Sequence, residues 1–72
     1  MYTLEMIENG QWCVFENPHD QYSAPRWFFN PAPTQSLAIV EARRYIPPER
    51  SMEFEAAMVR EQCLLAGNPT CQ

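Results

Sequence analysis

Met6-Ile7-Glu8-Asn9-Gly10-Gln11-Trp12-Cys13-Val14-Phe15 is the stretch that decides the fold. Two segments of strand-forming residues flank an Asn-Gly pair, and a type I′ turn needs positive φ at both central positions, which Asn and Gly tolerate best. The spacing predicts an antiparallel hairpin over about residues 2–8 and 11–17. With a two-residue loop, Glu8 faces Gln11, Ile7 faces Trp12, Met6 faces Cys13, Glu5 faces Val14 and Leu4 faces Phe15. Side chains alternate across a strand, so Tyr2, Leu4, Met6, Cys13 and Phe15 share a core face. Ile7, Trp12 and Val14 share the other face with Thr3, Glu5 and Glu16, which leaves a second apolar surface in search of a cover.

Outward from the hairpin, residues 17–25 read as a loop, because Pro18 and Pro25 withhold ladder donors and the segment lacks periodicity. Arg26 to Phe29 is rich in aromatic residues and predicts a short third strand, with Trp27 and Phe29 on one face and Arg26 and Phe28 on the other. Pro31 and Pro33 end it, and Thr34 is a good N-cap for a first helix over about 34–46. On that helix Ala38, Ile39, Ala42, Tyr45 and Ile46 form a small-residue side suited to packing on a sheet. Leu37, Val40, Glu41 and Arg44 lie roughly opposite, and Pro47-Pro48 stops the helix.

A second helix is expected over about 50–66, capped by Ser51 and closed by Gly67 in the left-handed region ahead of Asn68-Pro69. It carries two apolar stripes. Met52, Ala56, Val59, Cys63 and Ala66 make one, while Phe54, Met58 and Leu65 make another almost opposite. One domain spanning residues 1–72 of the α+β class follows: a hairpin, a short third strand, then two helices.

Composition narrows function by exclusion. At 72 residues a fold buries only about 60% of its extended surface, so a disulfide, a metal or a partner chain is the usual supplement. Cys13, Cys63 and Cys71 are odd in number, lack Cys-x-x-Cys spacing and follow no secretory segment, so a cytoplasmic chain with reduced thiols is expected; a single Cys63–Cys71 or Cys13–Cys63 bond is the alternative. Cys13, His19, Cys63 and Cys71 have the ligand types of a zinc site but not its paired spacing, and buried thiols acting as small hydrophobes explain them more simply. No apolar run approaches the roughly 20 residues that span a bilayer.

The net charge is −4, from nine carboxylates against five arginines, with no lysine. Arg26, Arg43, Arg44, Arg50 and Arg60 are too scattered to follow a phosphate backbone, and the carboxylates too thinly spread to imitate one. The single histidine, His19, stands beside Asp20 in a Pro-bounded loop, where turn chemistry accounts for both. Ser36 and Ser51 read as helix-start residues, and no glycine-rich phosphate loop is present. Neither a catalytic group nor a cofactor is expected.

In element order, Tyr2 to Tyr45, with Trp12, Phe29 and the helix after Thr34, resembles the DNA-reading three-stranded domains of the AP2 and integrase-arm type. That resemblance implies a sheet face bearing basic residues. Here the corresponding face offers Thr3, Glu5 and Glu16, so no functional residue is carried over.

The surplus of apolar faces leads to a non-enzymatic protein-binding module, inhibitor- or adaptor-like, that covers a site on a larger protein. Its expected contact residues are Ile7, Trp12 and Val14 on the hairpin, Tyr22 and Phe28 around the third strand, and Phe54 and Met58 on the second helix. A small acidic chain without chemistry of its own also suits the host-take-over or anti-defence proteins of phages and other mobile elements. The alternatives are an obligate homodimer with a structural role or an inter-subunit ligand site, and a nucleic-acid-binding domain, which the charge disfavours.

Overall fold

A computed structural model describes residues 1–18 and 25–67. It contains a three-stranded antiparallel sheet in the order β1 (Tyr2–Met6), β2 (Trp12–Glu16), β3 (Trp27–Phe28), followed by α1 (Gln35–Arg43) and α2 (Ser51–Leu65). The predicted class and element order hold. Single turns of 3₁₀ helix occupy Glu8–Gly10 and Pro48–Arg50.

The hairpin departs from the expected register by one residue. Asn9 and Gly10 do take positive φ, 68° and 72°. Glu8, however, joins them in the loop, and the Ile7 amide donates to the Gln11 carbonyl at 2.7 Å, so the loop has three residues rather than two. The pairs are therefore Tyr2 with Glu16, Thr3 with Phe15, Leu4 with Val14, Glu5 with Cys13 and Met6 with Trp12. A slip of one residue moves every side chain of the strand to the other face. Trp12 and Val14 turn inward beside Leu4, while Cys13 and Phe15 move to the outer face with Thr3 and Glu5.

The reason lies in what the inward face meets. Both helices pack on one side of the sheet, α1 against β2 and α2 against β1. Val14 is fully buried there with Tyr2, Leu4, Phe29, Ala38, Ile39, Ala42, Phe54, Ala57 and Met58, and Trp12 and Ile46 pack against this core. The Trp12 backbone pairs with Ala32 through two hydrogen bonds of 2.8 and 2.9 Å, which extends β2 past the short β3. Ring edges meet at 5.4 Å where Tyr2 stands against Phe54, a favoured T-shaped contact.

Helix α1 begins as expected: the Leu37 amide donates to Thr34 Oγ1 at 3.1 Å. Its small-residue side is the buried side, through Ala38, Ile39 and Ala42. Tyr45, assigned to that side, lies beyond the helix end and is 61% exposed. Ser51 is the first residue of α2 rather than its cap, and no side chain caps the helix. Gly67 adopts φ 72°, as its position after α2 requires. The Arg43 guanidinium clamps Glu55 with bonds of 2.7 and 2.9 Å, linking the two helices at the surface.

Only one stripe of α2 is core. Phe54, Ala57 and Met58 are buried, so Phe54 and Met58 are not contact residues for another molecule. The opposite stripe is the uncovered one, with Met52 88% and Val59 69% exposed and Ala56 exposed between them. Phe54 decides the choice, because its ring has Tyr2 to pack on and Met52 has no counterpart on the sheet.

Cys13 is a free, buried thiol whose Sγ donates to the Phe29 carbonyl at 3.1 Å, and burial pushes its pKa up. Cys63 is disulfide-bonded, against the expectation that all the thiols are reduced, and because Cys13 is free the Cys13–Cys63 pairing is excluded. His19, Asp20, Tyr22 and Cys71 lie outside the described residues. No cluster of metal-ligating side chains occurs among the described residues. No helix there is long and apolar enough to cross a membrane.

Candidate functional site

The outer face of the sheet, on which no helix lies among the described residues, carries a polar network of its own side chains. Asn17 Nδ2 donates to Thr3 Oγ1 at 3.1 Å, Thr3 Oγ1 donates to Glu5 Oε2 at 3.0 Å, and Arg26 reaches Glu5 Oε1 at 3.0 Å. The Arg26 guanidinium also lies over the Phe15 ring, 3.9 Å from its centroid. A cation held between a ring face and a carboxylate satisfies both, and the Arg26 guanidinium beside Glu5 keeps that carboxyl below its ordinary range. Ile7 stands at the hairpin end of this face, half-buried. The apolar surface expected around Ile7, Trp12 and Val14 is therefore not there: Val14 is core, Trp12 packs against the core, and Ile7 stands apart from both.

Exposed aromatic surface gathers instead at the free edge, where β3 meets the end of α1. Glu16 pairs directly with Trp27, and Phe15 with Phe28, so Trp27 stands beside the Glu16 carboxylate and Phe28 projects from the opposite face. Trp27 is 67% and Phe28 64% exposed. Phe29, the next residue, is buried, and its ring stacks on Tyr45 with centroids 6.4 Å apart and planes inclined by 21°. Together with Asn30 these residues line an open cleft of about 400 Å³.

Local sequence builds this arrangement. Pro25 and Pro31 bracket β3 and keep it short, so the edge offers little backbone for an added strand and its contacts come from side chains. Pro47 and Pro48 stop the chain after α1 and hold Tyr45 at the rim. Arg50 anchors the carboxylate, its Nη1 bonding Glu16 Oε2 at 2.8 Å. The guanidinium is held charged first by the Tyr2 side chain and then by Glu16. On the other rim Asn30 Nδ2 donates to Glu41 Oε1 at 3.3 Å.

Of the six expected contact residues that are described, only Phe28 belongs to this cluster, and Tyr22 lies outside the described residues. Trp27 and Tyr45 were the residues missed as contacts. Alternation set Trp27 on one face with Phe29 and left Phe28 on the other, and the small-residue stripe set Tyr45 with Ala38 and Ala42. The available signal was position: Trp27 follows Pro25 by two residues and Tyr45 precedes Pro47 by two, both at element ends where packing is incomplete.

Comparison with protein-family models, curated proteins and solved structures finds no match to this chain.

Proposed function

We propose that this chain is a non-enzymatic protein-binding module, inhibitor- or adaptor-like, that docks on a larger protein through the β3 edge, which carries Trp27, with Tyr45 beside it, on one face and Phe28 on the other. The observation that carries the reading is the exposure of two adjacent large aromatics, Trp27 at 67% and Phe28 at 64%, beside an open cleft. Trp, Tyr and Arg most often anchor protein interfaces, and Trp and Tyr bury large area at modest entropic cost. Among the described residues the cleft holds a carboxylate and aromatic rings but no nucleophile paired with a base, which favours recognition over catalysis.

Capture from the native host's lysate on immobilised chain tests this, with Trp27→Ala/Phe28→Ala as one comparison and Ile7→Ala as the other. The reading expects a specific protein retained by the parent chain and by Ile7→Ala but lost with the aromatic double variant, whose melting stays close to the parent's. A partner retained equally by all three overturns it.

The exposed α2 stripe of Met52, Ala56 and Val59 favours a second reading, a homodimer through that helix. Sedimentation at micromolar concentration separates the two. A dimer that Val59→Glu dissociates supports self-association; a folded monomer removes it.

A further inference from the structure

We infer that the Trp27–Tyr45 cleft takes an arginine side chain presented by the partner protein, an inference that rests on the docking surface proposed above. The chain itself shows the chemistry on its other face, where Arg26 lies 3.9 Å above the Phe15 ring and 3.0 Å from Glu5. The cleft repeats those components in one place: aromatic rings of Trp27 and Tyr45 and the carboxylate of Glu16. Among the described residues no cation lies over either ring.

Three features fit a guanidinium. Its planar, weakly hydrated group stacks on aromatic faces while its N–H fork reaches a carboxylate, which an ammonium does less well. Arg50 engages Glu16 through Oε2, and Oε1 receives no hydrogen bond among the described residues. A cross-strand pair fixes Glu16 beside Trp27, so a guest cation stacked on the indole has an acceptor within reach. Charge complementarity points the same way. The chain's net charge of −4 draws basic segments toward it.

A proton–nitrogen correlation titration of the full chain tests the inference, with capped Gly-Arg-Gly as one probe and capped Gly-citrulline-Gly as the other. Citrulline keeps the shape of arginine without its charge. Expected are saturable shifts of the Trp27 indole N–H with the arginine peptide and binding about tenfold weaker with the citrulline peptide, the factor that accompanies loss of a partly desolvated cation–π contact. Trp27→Ala and Tyr45→Ala should each weaken the arginine peptide, as should Glu16→Gln, while Ile7→Ala leaves it unchanged. Equal binding of both peptides, no shift with either, or shifts confined to the Phe15–Arg26 face would overturn the inference. None of these outcomes touches the lysate capture, which reads the aromatic surface whatever its guest; loss of capture specificity in turn leaves the peptide result standing.

Discussion

The two ends of Glu16's strand pair make an instructive contrast. On the outer sheet face, Phe15, Arg26 and Glu5 complete one another, so an aromatic ring, a cation and an acid are satisfied within the chain. On the opposite side of β2 and β3, Glu16 and Trp27 have rings and a carboxylate, with Arg50 bound to the acid and nothing stacked on the indole among the described residues. The first arrangement leaves little for another molecule to gain. The second leaves apolar surface in water, and that difference is what the proposed docking surface rests on. It also corrects the emphasis on Ile7, Trp12 and Val14, since what faces outward on the hairpin is already occupied by its own polar network.

The contrast can be broken first at the core, on which both faces depend. Phe54→Ala removes a fully buried ring that packs on Tyr2, at a cost of about 3–5 kcal/mol. In a domain this small that is most of the folding free energy, and urea unfolding should show the variant largely unfolded without denaturant. Next comes Thr34→Ala, which removes the hydroxyl that caps α1 and should cost about 1 kcal/mol in the same measurement. Because α1 ends near Tyr45, its loosening should also broaden the cleft resonances.

Smaller effects separate the two faces. Arg26 beside Glu5 and Arg43 beside Glu55 hold both carboxyls below the ordinary value of 4.5. Folded values depressed in this way contribute stability that is present above the unfolded pKa and lost as pH falls through the folded one. Melting temperature should therefore decline below about pH 4.5. Glu5→Gln should flatten part of that decline and cost under about 1 kcal/mol at neutral pH, because the pair is half-exposed. Smallest of all is Trp27→Ala, whose melting should stay within about 0.5 kcal/mol of the parent's, as for a surface substitution, although partner binding is lost.

Much of the fold was legible from local chemistry. Asn9-Gly10 marked the hairpin, Thr34 the start of α1, Pro47-Pro48 the break between helices, and Gly67 the end of α2. The faces were not legible, for two physical reasons. A hairpin's register depends on whether its loop holds two residues or three, and Glu8 joined the loop, which inverted the assignment of Trp12, Cys13, Val14 and Phe15 together. Helix α2 presents two stripes of similar apolarity, and only the position of Tyr2 on the sheet selected Phe54 and Met58 over Met52 and Val59. The site followed from these choices. Once Val14 turned inward, the remaining exposed aromatics were those beside prolines at element ends.

Everything said about the two faces depends on that one-residue register, and cross-strand proton–proton distances read it directly. In an antiparallel sheet the α-protons of non-hydrogen-bonded pairs approach closely enough for a strong nuclear Overhauser effect. Since Ile7 bonds Gln11, the close pairs are Tyr2 with Glu16, Leu4 with Val14 and Met6 with Trp12. A strong effect between the α-protons of Leu4 and Val14 is the expected result. Strong α-proton effects between Glu5 and Val14 or between Ile7 and Trp12, the non-hydrogen-bonded pairs of a hairpin closed by Glu8 and Gln11, would contradict it, returning Val14 and Trp12 to the outer face.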